Sequence, residues 1–199
     1  VDRMISLAKA AGKAPLYIVH VSAKESVDLI REARKAGDTV FGETCPQYLV
    51  LDESRYDDPE EGLKFILSPP LRAKEHQAAI WEGIKDGTLQ VIATDHCSFD
   101  YHGDKQNGKD DFTKCPNGAP GVETRMPIVF SEGVSKGRMS LNKFAAVTST
   151  NPAKIFGMYP KKGVLAVGSD ADIVLMNPNM EVTITKNILH ENVDYTPYE

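Results

Sequence analysis

Residues 91–98 read Val-Ile-Ala-Thr-Asp-His-Cys-Ser, an apolar and β-branched run that stops abruptly on a carboxylate and an imidazole. A strand buried on both faces of a parallel sheet reads as a short continuous apolar run. Barrel enzymes keep their chemistry in polar residues at the C-terminal ends of such strands. Asp95 is therefore a candidate for chemistry, against the plainer alternative that it closes the strand as a turn residue. Leu16-Tyr17-Ile18-Val19-His20-Val21-Ser22 repeats the grammar, with His20 at the strand end. A lone histidine in an apolar strand is more often a satisfied core residue than a ligand. If both strands belong to one parallel barrel, His20 and Asp95 converge on one face, where each can ligate a metal.

The rest of the chain fits that frame. Asp2 to Ala11 reads as an amphipathic helix closed by Gly12. Ser22 with Glu25 three residues on makes a capping box for a second helix, with a core face of Val27, Leu29, Ile30 and Ala33. A strand follows from Thr39 to Pro46, and a helix from Arg72 to Lys85 is stopped by Asp86-Gly87. The α, β, α, β order with short loops predicts right-handed crossovers and a parallel sheet. Residues 52–62 are an acidic surface excursion. Pro69 and Pro70 donate no backbone N–H and cannot continue a helix or a central ladder, so they fix the direction of the Ser68 backbone groups.

Residues 99–121 are polar, without periodicity, and hold four glycines. A loop this long in a compact domain is usually functional or disordered. It leaves the strand end bearing Asp95, which favours a substrate-binding or lid loop. Its lysines, Lys105, Lys109 and Lys114, are expected to be solvated. Helices are expected over 122–137, after Ser140, and from Asn151-Pro152 to Gly157. Residues 163–176 read as strand, tight turn, strand, and 181–185 as a further strand. The expected division is 1–158 and 159–199, the second part a small β unit.

Several classes are excluded. No basic patch is present and the net charge is −5, so nucleic acid is not an expected partner. No apolar run approaches the roughly 18 residues of a membrane span. Three cysteines without a C-x-x-C pair suggest reduced thiols and a cytoplasmic setting. The start at Val1 inside a helix and the end at Glu199 without a closing element suggest a piece of a longer protein.

Five stretches carry a resemblance. They are Val19-His20-Val21-Ser22, Gly42-Glu43-Thr44-Cys45-Pro46-Gln47-Tyr48-Leu49, Ser68-Pro69-Pro70-Leu71-Arg72, Thr94-Asp95-His96-Cys97 and Asn117-Gly118-Ala119-Pro120-Gly121-Val122-Glu123. In this order they resemble the dihydropyrimidinase/hydantoinase branch of the cyclic amidohydrolases. The resemblance implies the later strands of a (β/α)8 TIM-type barrel followed by part of a small β-sandwich. It implies two divalent metal ions, most naturally zinc, with His20 and Asp95 as ligands and Asp95 also as the general base. It implies that backbone groups at Ser68 and Asn117 hold a small cyclic amide, and that the whole protein is a homotetramer. The expected reaction is ring opening of dihydropyrimidines or hydantoins to N-carbamoyl amino acids. The family's His-x-His, its bridging carbamylated lysine and a further histidine ligand have no counterpart here, so this piece alone is expected to be inactive. His76, read as mid-helix, His102 in the loop and His190 beyond the barrel do not fill the gap, and His96 is expected to point off the active face. The alternative is a non-enzymatic dihydropyrimidinase-related assembly protein, against which the retention of His20 and Asp95 speaks.

Overall fold

The computed structural model describes residues 1–199. The frame is three short parallel strands in the order β1-β2-β3: β1 (Leu16–Ile18), β2 (Val40–Thr44) and β3 (Val91–Ile92). Leu16 is opposite Val40 and Ile18 opposite Gly42, while Glu43 is opposite Val91 and Thr44 opposite Ile92. Parallel strands need crossovers, and helices supply them. α1 (Asp2–Ala10) precedes β1, α2 (Lys24–Lys35) joins β1 to β2, and α3 (Pro46–Val50) and α4 (Glu75–Asp86) lie between β2 and β3.

Burial follows the helical period on α2: Val27, Ile30 and Ala33 are buried. Leu29, expected inward, is 36% exposed, because its position turns away from the Val27–Ile30 stripe. Ile30 meets Gly42 of β2, where an added Cβ would sit 2.7 Å from Leu89 Cδ2 and 3.2 Å from Ile30 Cδ1. The helix layer thus rests directly on the strand backbone. Ile80, Ile84 and Leu89 complete this part of the core.

Two local expectations are corrected. Ser22 does not cap α2, and the capping box with Glu25 is absent: the N-cap is Ala23, in extended conformation. The free N–H of Lys24 instead donates to Nδ1 of His76 at 3.0 Å. His76 is the second residue of α4, not mid-helix, and ties the two helices together. Ser140 does cap its helix, accepting from the Lys143 N–H at 3.1 Å. That rod runs as α6 (Leu141–Ala145), a π-helical turn Ala146–Thr150 and α7 (Asn151–Ile155). Before it, α5 (Arg125–Val129) continues as a π-helical stretch, Phe130–Ser135.

The chain contains no strand after Ile92, so the expected strands at 163–176 and 181–185 are not formed. Leu165 is 77% exposed and Leu175 93%. Alternating apolar residues do not make a strand without a ladder partner, and no other segment of the chain pairs with them. Residues 186–199 do return to the folded body, burying Glu191, Tyr195 and Thr196.

β1 and β3 end sooner than their sequences suggest. His20 has φ 40° and Asp95 φ 51°, both left-handed, two and three residues beyond the last residues of β1 and β3. Pairing still resumes beyond His20, since the Val21 N–H donates to the Glu43 carbonyl at 2.7 Å. A side chain in this region costs roughly 1–2 kcal/mol relative to its relaxed backbone.

Two measurements on the complete protein carrying this chain test this account. Ile30→Ala should destabilise by about 2–5 kcal/mol, whereas Leu29→Ala should stay within about 0.5 kcal/mol; equal losses in denaturant unfolding would refute the orientation of α2. His20→Gly should be more stable than His20→Ala by about 1 kcal/mol, because only glycine relaxes at positive φ. Both variants lack the imidazole, so ligation cancels in the comparison, and an alanine variant as stable as the glycine one would remove the strain.

Candidate active site

Parallel register brings the C-terminal ends of all three strands to one edge. β1 delivers His20, β2 delivers Glu43 and Cys45, and β3 delivers Asp95. His20 is half-buried and Asp95 exposed, so the edge opens to solvent. Glu43 accepts a hydrogen bond from the Tyr17 hydroxyl at 2.6 Å. Burial, then that carboxylate, pushes the Tyr17 phenol above its ordinary range. Cys45 is fully buried, and burial, with Glu43 and Asp95 nearby, pushes its thiol well up, which keeps it an unreactive thiol. Half-buried Arg125 donates to the Ile92 carbonyl at 2.9 Å and anchors the end of β3 from α5. Thr44, wholly buried, donates to the Val21 carbonyl at 2.8 Å and ties β2 to the segment after His20.

Two loops lie over this edge. One runs through Ser68 and the other through Asn117. The Asn117 side-chain amide donates to Ser68 Oγ at 3.1 Å, so the two residues expected to hold substrate are in direct contact. Tyr48 donates to the Pro69 carbonyl at 2.8 Å and fixes the first loop from α3. The second loop is pinned to β3's extension, where the Cys97 N–H donates to the Ala119 carbonyl at 3.2 Å. Gly118 has φ 147°, and an added Cβ would sit 2.3 Å from the Cys97 carbonyl, so only glycine allows this approach. His96 turns aside, as expected: its Nδ1 accepts from the Gly121 and Val122 N–H groups at 3.1 and 3.3 Å. Those bonds organise the turn that leads into α5.

Residues 99–121 contain only two 3-10 turns, Lys105–Gly108 and Phe112–Lys114. Lys109 and Lys114 are exposed, as expected, but Lys105 is not solvated: its relative exposure is 0%. Its ammonium donates to the Ile66 carbonyl at 2.6 Å and the Pro116 carbonyl at 2.9 Å. Burial lowers its pKa to about 8, against smaller opposing effects of the Cys115 and Cys97 sulfurs. Three lysines in one polar stretch give no sequence signal for which is buried. Tyr195, from the C-terminal return, was also not singled out; its hydroxyl lies 3.2 Å from the Lys64 carbonyl and 3.5 Å from that of Gly118. Burial raises its phenol above the usual range. The aromatic pair Tyr195 and Tyr198 near the end of a polar tail was the available signal.

A metal pair does not fit this chain's residues alone. No group of three or more His, Cys, Asp or Glu side chains stands close enough to hold an ion. A catalytic zinc needs about three protein ligands, and the edge offers His20 and Asp95.

No helix is long and apolar enough to cross a membrane. A dihydropyrimidinase from Brevibacillus agri superposes with a TM-score of 0.97 at 53% identity, over all of this chain and 43% of that one. An L-hydantoinase from Arthrobacter aurescens superposes with a TM-score of 0.78 at 38% identity, covering 85% of this chain and 37% of that one. In sequence, a D-phenylhydantoinase of Escherichia coli O1:K1 / APEC is 52% identical over 199 residues, all of this chain and 43% of that protein. The chain thus spans less than half the length of the curated relatives it matches. A family model described as "Amidohydrolase family" matches residues 14–196, and the chain belongs to that family.

Proposed function

We propose that the protein carrying this chain hydrolyses the cyclic amide bond of dihydropyrimidines or hydantoins, releasing N-carbamoyl amino acids. The observation that carries this reading is the contact between Ser68 and Asn117, on a loop pinned at Cys97–Ala119 to the extension of the strand that ends in exposed Asp95. Relatives named D-phenylhydantoinase and dihydropyrimidinase, at 52% and 53% identity, support it.

In this reading backbone groups at Ser68 and Asn117 hold the flat ureide of the ring and orient its carbonyl. Water adds to the carbonyl carbon and the ring C–N bond breaks. Asp95 accepts the proton of that water and delivers it to the departing nitrogen, so the carboxylate is regenerated. His20 and Asp95 are two ligands of a pair of divalent metal ions, zinc by preference, whose other donors this chain does not supply. The barrel portion is residues 1–158 and the segment of a β-sandwich 159–199. A cytoplasmic homotetramer completes the reading. A non-catalytic assembly role gains no support from a chain that keeps His20 and Asp95 at strand ends on one edge of the same sheet.

Asp95→Asn decides the central role. The amide keeps the size and one oxygen but cannot take a proton. In the complete protein kcat should fall by at least ~10² while bound metal, measured on the same preparation, falls little. A turn-capping Asp95 predicts instead near-normal turnover with a stability loss of about 1 kcal/mol, and that outcome would remove it from the mechanism. The isolated 199-residue chain, with two donors, should release no N-carbamoyl product from dihydrouracil above a metal-only blank. Measurable turnover by the purified chain would contradict this.

A further inference from the structure

We propose that Lys105 is a positioning residue, whose buried ammonium sets the separation of the two backbone segments that carry Ser68 and Asn117 and thereby the fit of the substrate ring. This rests on the proposed ring-holding role of those two residues.

The geometry is specific. Lys105 bonds the carbonyl of Ile66, two residues before Ser68, and the carbonyl of Pro116, one residue before Asn117. The same segments touch directly, the Gly118 N–H donating to the Ile66 carbonyl at 3.1 Å and Asn117 reaching Ser68. They are not joined as strands. Beyond that single backbone bond, side chains supply the rungs a ladder would provide. Lys105 is one rung. Tyr195, spanning the Lys64 and Gly118 carbonyls, is a second, further from the ring-holding pair.

A methionine or leucine would fill the same volume without burying charge, and burying an ammonium without a carboxylate is costly. Lys105 forms no ion pair with any carboxylate. What lysine adds over an apolar side chain is N–H donors that reach two carbonyls at once. Both acceptors sit on the loops that cover the reactive edge. The charge is thus spent on holding two loops in register at the point where a planar ring would bind.

The test uses the complete, metal-loaded protein and three forms: wild type, Lys105→Met and Lys105→Gln. Glutamine keeps donors on a shorter arm and is the second variant should methionine fail to fold. Kinetics are measured on dihydrouracil, a six-membered ring, and on hydantoin, a five-membered ring. The expected result for a folded variant is a rise in KM of about tenfold or more with a smaller change in kcat. The ratio of kcat/KM between the two rings should shift as well, and bound metal should stay unchanged. A purely structural lysine would lower the melting temperature and leave KM and the ring ratio of the folded enzyme as they were; that result overturns the proposal while the ring-opening reading stands. Loss of folding in both variants, judged by circular dichroism, also overturns it, since Lys105 would then be a determinant of the fold alone. A wild-type protein that opens neither ring removes the ring-opening reading and this assignment with it.

Discussion

Parallel pairing of three very short strands is the constraint on which everything else here depends. Antiparallel neighbours would send alternate C-terminal ends to opposite edges. With β1, β2 and β3 parallel, His20, Cys45 and Asp95 emerge on one side whatever the intervening helices do. The register is held by few ladder bonds, so burial must hold it too. Val40 and Ile92 are almost fully buried, and Ile30 of α2 and Leu89, in the turn after α4, close on Gly42. A one-residue slip would turn every side chain of β2 to the other face and expose Val40. The chemistry at the edge is thus fixed by packing on the far side of the sheet.

The edge itself is built differently from the sheet beneath it. His20 and Asp95, just past the ends of β1 and β3, both have left-handed backbone. That conformation is unfavourable by a kilocalorie or two at each residue, so the surrounding packing has to over-determine it. Above the strands the loops have no regular ladder, yet they lie partly buried and their backbone groups need partners. Side chains meet that need. Tyr48 serves the Pro69 carbonyl, Lys105 serves Ile66 and Pro116, and His96 serves the Gly121 and Val122 N–H groups. Each such bond contributes of order 1 kcal/mol net, but leaving a buried carbonyl unmet costs more. The loops are ordered by what each rung prevents as much as by what it adds.

Which features the sequence disclosed follows from the range of the forces behind them. Gly87 after α4 and Ser140 before α6 are local, and both were readable. The three strands were also readable as apolar runs, but their ends were not. Positive φ at a histidine and an aspartate leaves no mark in composition. The Ser68–Asn117 meeting rested on resemblance, since nothing local joins residues 49 positions apart. Ser22 looked like a cap because its partner at Glu25 was correctly spaced. The N–H of Lys24 was taken instead by His76, 52 residues away, and only tertiary structure chooses between the two acceptors. Lys105 is the sharpest case. It shares its stretch with Lys109 and Lys114, and solvation is the right expectation for a lysine in such company. Its burial is set by two carbonyls from distant segments, one of them beside Ser68.

The C-terminal 40 residues separate pattern from structure most clearly. Residues 163–185 carry strand-like alternation and form no strand, because hydrogen-bond partners are a property of neighbours and not of the segment. Residues 186–199 carry no such pattern and yet dock firmly. Asp194 accepts from the N–H groups of Tyr101 and His102, the Glu191 carboxylate accepts from the Glu123 N–H, and Tyr195 reaches Lys64 and Gly118. These contacts land on residues 99–121, on the turn into α5 and, at Lys64, on a 3-10 turn. The same fourteen residues therefore connect the exposed 163–185 segment to the backbone beside Asn117.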